Sequence, residues 1–220
     1  MGHVEDKSLI VPGIPVVVSG PSGVGKGSII AEALKRRQEI FLSVSMTSRA
    51  PRPGERNGVD YIFVDRSTLL RHIEDGALLE WAEVYGEIYG TPREPVARNL
   101  DEGRDVIMEI DVQGGLSVRK HYPSACLVFI LPPSREELIR RLCKRGTETE
   151  EQIRKRFSFV EYEYEQTKRY NYLIVNRVIE QAAEQLCNII LAERCKREHL
   201  EPVLRKAGIL PPLQQTEQQT

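Results

Sequence analysis

The chain has 220 residues, 40% of them hydrophobic and 29% charged, which excludes disorder throughout, a collagen-like repeat and a disulfide-dense scaffold. At this length folding removes roughly 70% of the unfolded surface from water, enough for one large domain or one core with small insertions. Lys and Arg number 31 against 32 Asp and Glu, a net charge of -1, so a general nucleic-acid binder is not expected and any polyanion site must be built locally.

The first residues carry acidic groups and no long apolar run, which predicts no signal peptide. Asp6 stands where a myristoylation motif needs Ser or Thr. No apolar stretch reaches membrane-spanning length, so no membrane partner is expected. Cys126, Cys143, Cys187 and Cys195 show neither CxxC nor zinc-finger spacing, and read as reduced thiols of a cytoplasmic protein.

Pro15-Val16-Val17-Val18 is the first predicted strand, apolar without alternation, as in a strand covered on both faces. It runs into Gly20-Pro21-Ser22-Gly23-Val24-Gly25-Lys26, and a helix is predicted over residues 28–37. G-x-x-x-x-G-K between strand and helix is the context of a P-loop: backbone N–H groups converge on an anion, and Lys26 brings a positive charge to the β- and γ-phosphates. Gly27 replaces the usual Ser or Thr, and the next residue, Ser28, becomes the magnesium-side hydroxyl, acting through water; the K-G-[ST] variant also occurs in nucleoside monophosphate kinases. A plain glycine-rich turn is the alternative, and the complete motif in context outweighs it. The loop alone leaves GTPases, motor-type ATPases and small-molecule kinases open, although no N-K-x-D motif is present.

Residues 43–92 break the strand–helix rhythm with Pro51, Pro53, Gly54 and Gly58, then short apolar runs at Tyr61-Ile62-Phe63-Val64 and Leu79-Glu80-Trp81. This predicts an inserted, partly antiparallel subdomain. Arg49 and Arg52, stiffened by the prolines, can clamp a phosphomonoester with two guanidinium forks, or form a solvated basic loop.

Val106-Ile107-Met108 is the next predicted strand, ending in Glu109 and Asp111, which alternate about Ile110 and face the crevice at the strand's carboxyl end. A structural ion pair is the competing reading for these two. Helix 113–121, strand 127–131, helix 135–144, strand 173–175 and helix 178–197 follow, an alternation that predicts a parallel α/β sheet. Residues 135–168 are basic; Arg141 and Arg145 are four apart, hence on one helix face. Residues from Pro211 have little to bury.

Taken together, residues 20–28, 45–55 with Tyr61, Glu80-Trp-Ala-Glu-Val, Tyr89-Gly-Thr91, Glu109-Ile-Asp111-Val-Gln-Gly114, Pro132-Pro-Ser and Arg145-Gly-Thr-Glu-Thr149 resemble guanylate kinases over about residues 9–196. The resemblance implies an α/β fold, with a P-loop parallel-sheet core at about 9–44, 93–134 and 169–200. It adds an inserted mixed-β GMP-binding subdomain at about 45–92, a helical lid at about 135–168 and a tail at 201–220. It implies phosphoryl transfer from ATP to GMP with Mg²⁺, in a monomer or small homo-oligomer.

In the resemblance, Arg49, Arg52, Tyr61 and Tyr89 meet the GMP phosphate. Ser45, Glu80 and Thr91 read guanine, with Glu109 and Asp111 near the acceptor and the metal–phosphate region. Arg141, Arg145 and Arg156 are its lid arginines, acting with Lys26 and Arg49 on the transferred group. The chemistry agrees: guanine offers N1–H and N2–H₂ as adjacent donors to one carboxylate, and adenine has no such pair. Arg177 follows Asn176 where many family members have Asp. A kinase of similar architecture for another acceptor and a non-catalytic interaction domain are the competing readings; Glu80 with Ser45 and Thr91 argues against the first, and the complete loop against the second.

Overall fold

The computed structural model describes residues 10–84, 86–143 and 159–211. Five parallel strands form its central sheet, in the order β2 (Phe41–Ser43), β7 (Val106–Glu109), β1 (Pro15–Ser19), β8 (Cys126–Leu131), β9 (Tyr172–Val175). β1 is central and buried throughout. Its side chains alternate between two cores. Val16 and Val18 pack with Ile29, Ile30 and Ala33 of α1 (Lys26–Arg36) and with Ala183, Leu186 and Ile190 of α7 (Ile179–Arg194). Val17 points the other way, to Val96 and Leu100 of α3 (Arg93–Asp101) and Val118 of α4 (Val112–His121). Helices therefore cover both faces, which is why these strands read as continuous apolar runs. The expected α/β class with a parallel core is the one observed.

A second sheet of four strands is mixed, in the order β4 (Ile62–Phe63), β3 (Met46–Thr47), β6 (Glu87–Pro92), β5 (Leu78–Val84). β3 and β4 are parallel; β6 is antiparallel to both β3 and β5. It has its own core of Met46, Leu69, Leu78 and Ile88, with Leu69 supplied by α2 (Arg66–Glu74). Asp65 starts that helix by accepting from the Thr68 N–H at 2.8 Å, a side-chain cap.

The C-terminal helical pattern, expected as one helix over 178–197 followed by a tail from 201, is two helices. α7 stops at Arg194, Lys196 turns to extended backbone, and α8 (Arg197–Lys206) follows. Pro202 lies inside α8, and Glu201 is bracketed by Arg197 and Arg205 on the same helix. α5 (Arg135–Cys143) and α6 (described over 159–165) flank the carboxyl end of the central sheet.

Asp105, 2% exposed, locks the amino edge of this sheet. It accepts from the Ile14 N–H at 2.9 Å and pairs with Arg194 at 2.6 Å, joining β1, β7 and α7. Asp105→Ala leaves a buried N–H and a guanidinium without their acceptor. The expected loss is about 3 kcal/mol, or about 10 °C in the thermal midpoint followed by circular dichroism.

Candidate active site

A cleft of about 1030 Å³ opens between the carboxyl ends of the central strands and the mixed sheet. Its floor is the loop after β1. Gly25 caps α1 in the left-handed region, φ 97°, a conformation that favours glycine. No side chain caps this helix and its first turn carries no acidic residue. Its first N–H groups, which no intrahelical carbonyl can take, therefore remain for an anion. Gly20, Ser22, Gly23, Gly25, Lys26, Gly27 and Ser28 all line the cleft, while Pro21 and Val24 are buried supports of the loop. Lys26 Nζ rests on the loop's own Gly20 carbonyl at 2.7 Å and reaches the Pro21 carbonyl at 3.4 Å.

The mixed sheet supplies the opposite wall. Glu80 pairs with Thr91, and Ala82 with Tyr89, in the β5–β6 register, so these side chains share one face and Trp81 takes the other, where it is exposed. Glu80 is 6% exposed and accepts from the Thr91 hydroxyl at 2.5 Å. Burial, with a smaller contribution from Asp111, pushes its pKa up to about 7. Thr91 is fully buried, with its hydroxyl on Glu80. Ser45 lines the cleft as expected.

Asp111 is not a strand residue. β7 ends at Glu109, and Asp111 caps α4, accepting from the Gly114 N–H at 2.8 Å through Oδ1. Its Oδ2 is buried with no hydrogen-bond partner among the described residues, and burial raises its pKa. Gly114 is what lets the two carboxylates approach: a Cβ there would stand 2.5 Å from Glu80 Oε2 and 3.5 Å from Asp111 Oδ1. Glu109 enters the cleft from the loop side, and its Oε2 would lie 3.5 Å from a Cβ on Gly27.

The two arginines expected as free forks differ. Arg49 is engaged: Glu55 takes both its terminal nitrogens at 2.8 and 2.9 Å, and its Nε donates to the Tyr89 hydroxyl at 3.2 Å. Its guanidinium also lies 5.2 Å from the Tyr61 ring centre. The pair holds Glu55 below the usual carboxylate range and raises Arg49 above its own. Arg49 does not line the cleft; Arg52, Glu55, Asp60, Tyr61 and Tyr89 do. Arg52 is exposed, and its side chain makes no ion pair among the described residues.

Arg141 of α5 lines the cleft, bound to Glu137 at 2.7 Å and to the Val24 carbonyl at 3.2 Å. Arg145 and Arg156 lie outside the described residues. Among the cleft residues that the sequence did not mark as such are Glu163 and Asn176. Glu163 of α6 is 5% exposed, with a pKa raised to about 7 by burial, and nothing in its alternating Glu-Tyr-Glu-Tyr-Glu context marked it. Asn176 is buried against the loop; in the sequence it drew notice only as the neighbour of Arg177, which also lines the cleft.

With this geometry described, comparison with known proteins is informative. The guanylate kinase family profile matches residues 13–193. The guanylate kinase of Caldanaerobacter subterraneus subsp. tengcongensis is 47% identical over 189 residues, 86% of this chain and 92% of that one. That of Thermus thermophilus is 47% identical over 194 residues, 86% of this chain and 88% of the relative. The crystal structure of guanylate kinase from Anaplasma phagocytophilum superposes with a TM-score of 0.75 at 34% identity, covering 92% of this chain and 98% of its own. A profile match across most of the chain, close relatives of matching length and a shared fold place this protein in the guanylate kinase family.

Proposed function

We propose that this chain transfers the γ-phosphoryl group of ATP to GMP, giving ADP and GDP, with GMP held by the mixed sheet and ATP by the loop before α1. The observation that carries the acceptor's identity is the pair of buried carboxylates, Glu80 with its raised pKa and Asp111 with an Oδ2 that has no partner among the described residues. Both are acceptors in want of donors, and guanine N1–H and N2–H₂ supply adjacent ones. A base lacking them leaves a buried charge unpaired, the strongest kind of rejection a polar site offers.

Phosphate recognition falls to Arg52 with the hydroxyls of Tyr61 and Tyr89, while Arg49, braced by Glu55, stiffens that wall and exchanges toward the incoming dianion. The acceptor phosphate, with a second pKa near 6, is largely dianionic at neutral pH, so no general base is required. Its oxygen attacks the γ-phosphorus in line, a new P–O bond forms, and the bond to the bridging oxygen of ADP breaks. Lys26, on the loop carbonyls in this structure, swings to the β- and γ-phosphates, and Arg141 with Arg145 and Arg156 closes over them to exclude water.

No group of three or more metal-ligating residues is present among the described residues, which suits Mg²⁺, an ion held mainly by substrate phosphates and water. Ser28, at the start of α1, and Glu109, beside Gly27, are the hard oxygen donors that would hold it, directly or through water. When bound, the ion neutralises charge on the transferring phosphate. No helix among the described residues is long and apolar enough to cross a membrane, in keeping with soluble nucleotide substrates.

A coupled assay of ADP release with GMP, AMP, CMP and UMP tests the reading. GMP alone should turn over well, and activity with AMP equal to GMP would overturn the acceptor assignment. Glu80→Ala should lower kcat/KM for GMP by about a hundredfold, as expected for removing a buried charged acceptor. Lys26→Ala should cost on the order of a hundredfold or more in kcat, the range for one transition-state contact.

Glu80 also gives a pH signature. Unfolded, it loses its proton near 4.5; folded, it holds it to about 7. The raised value favours the fold below about pH 4.5, and that advantage is lost as pH rises to about 7, by up to about 3 kcal/mol. Glu80→Gln does not titrate. Its thermal midpoint should therefore gain on the wild type between pH 4.5 and 7.5, while its GMP affinity loses the wild type's rise over the same range.

A further inference from the structure

Three separate parts of the chain meet at the carbonyl of Val24, inside the phosphate loop. Asn176 Nδ2 donates to it at 2.8 Å and Arg141 Nη1 at 3.2 Å. A carbonyl oxygen has two lone pairs, so both donors are accommodated at once. They differ in character. Arg141 is partly exposed, sits on α5 and shares its guanidinium with Glu137. Asn176 is 3% exposed and lies just beyond β9, where its own N–H donates to the Leu131 carbonyl at 2.8 Å, so the sheet fixes the position from which its carboxamide reaches the loop. The fit is tight: a Cβ on Gly25 would stand 2.6 Å from Asn176 Nδ2.

The peptide between Val24 and Gly25 is planar and trans, so its C=O and N–H point in opposite directions. Whatever holds the Val24 oxygen therefore sets the direction of the Gly25 N–H, one of the donors at the helix N-terminus that lines the cleft. We propose that Asn176 is a positioning residue for the phosphate loop. It holds this peptide in the orientation that presents the Gly25 N–H to the donor phosphates, and keeps it there when Arg141 leaves the shared carbonyl. The proposal rests on the reading of this loop as the ATP site and adds to it a sheet-anchored support 152 residues away in sequence.

The test compares Asn176→Ala, which removes the donor, and Asn176→Asp, which keeps the shape and sets an acceptor against the carbonyl. ATP affinity, measured directly without GMP, should fall about tenfold or more in both, with KM for GMP within twofold of the wild type, the effect expected when a buried hydrogen bond is lost. Tripolyphosphate, which carries phosphates and no base, should lose affinity by the same factor. If ATP weakens and tripolyphosphate does not, Asn176 is a base contact and the proposal fails. It also fails if neither ligand weakens, if the KM values for ATP and GMP rise in parallel, or if neither variant folds by circular dichroism. A wild-type protein that binds ATP but does not phosphorylate GMP would count against the kinase reading, and the binding comparison would still decide the role of Asn176.

Discussion

Two carboxylates kept out of water in one wall of a cleft govern the acceptor half of this protein. A buried carboxylate without full hydrogen bonding is unfavourable by several kcal/mol unless it takes up a proton or finds donors. The mixed sheet and α4 nevertheless bring Glu80 and Asp111 together, and Gly114 has no side chain to separate them. Thr91, opposite Glu80 in the β5–β6 register, donates its hydroxyl to that carboxylate, while Asp111 Oδ2 is buried with no hydrogen-bond partner among the described residues. Both carboxylates hold their protons more strongly than solvated ones, because burial favours the neutral form.

The donor half uses the opposite device. There the fold gathers positive potential from backbone N–H groups and holds Lys26 on carbonyls of its own loop. Arg49 is likewise matched by Glu55, and Arg141 by Glu137. Each cation is therefore placed and partly neutralised before a nucleotide arrives, which limits repulsion among the positive groups around the cleft. A net charge of -1 is compatible with a strongly charged site for this reason.

Much of this was legible in the sequence because its signals are local. The unbroken apolar runs at Val16, Val17 and Val18 and at Leu127 to Ile130 reported strands covered on both faces, and the glycine-lysine loop reported its own conformation. What escaped depends on partners distant in the chain. Nothing near Arg49 announces that Glu55 will occupy both arms of its fork, since a basic Pro-rich loop reads the same with or without that pair. The hydrogen bond from Thr91 to Glu80 likewise depends on the register of two strands, which no local signal gives. Glu163 and Asn176 reach the cleft only through the packing of α6 and the end of β9, so no spacing rule could find them. The break between α7 and α8 was hidden because Cys195 and Lys196 are ordinary helix residues by composition.

The mixed sheet leaves and rejoins the core between β2 and β7, which are neighbours in the parallel sheet although residues 44–105 lie between them. Joining two strands across so long an excursion loses chain entropy, but that loss grows only logarithmically with length. Part of the excursion has a core of its own in Met46, Leu69, Leu78 and Ile88, while its Leu79, Val96 and Leu100 pack with Val17 in a core that flanks the parallel sheet. The two parts are therefore coupled: α3 and β5 pack into the same core as β1, so substitutions at Leu79 or Val96 reach the strand that leads into the phosphate loop.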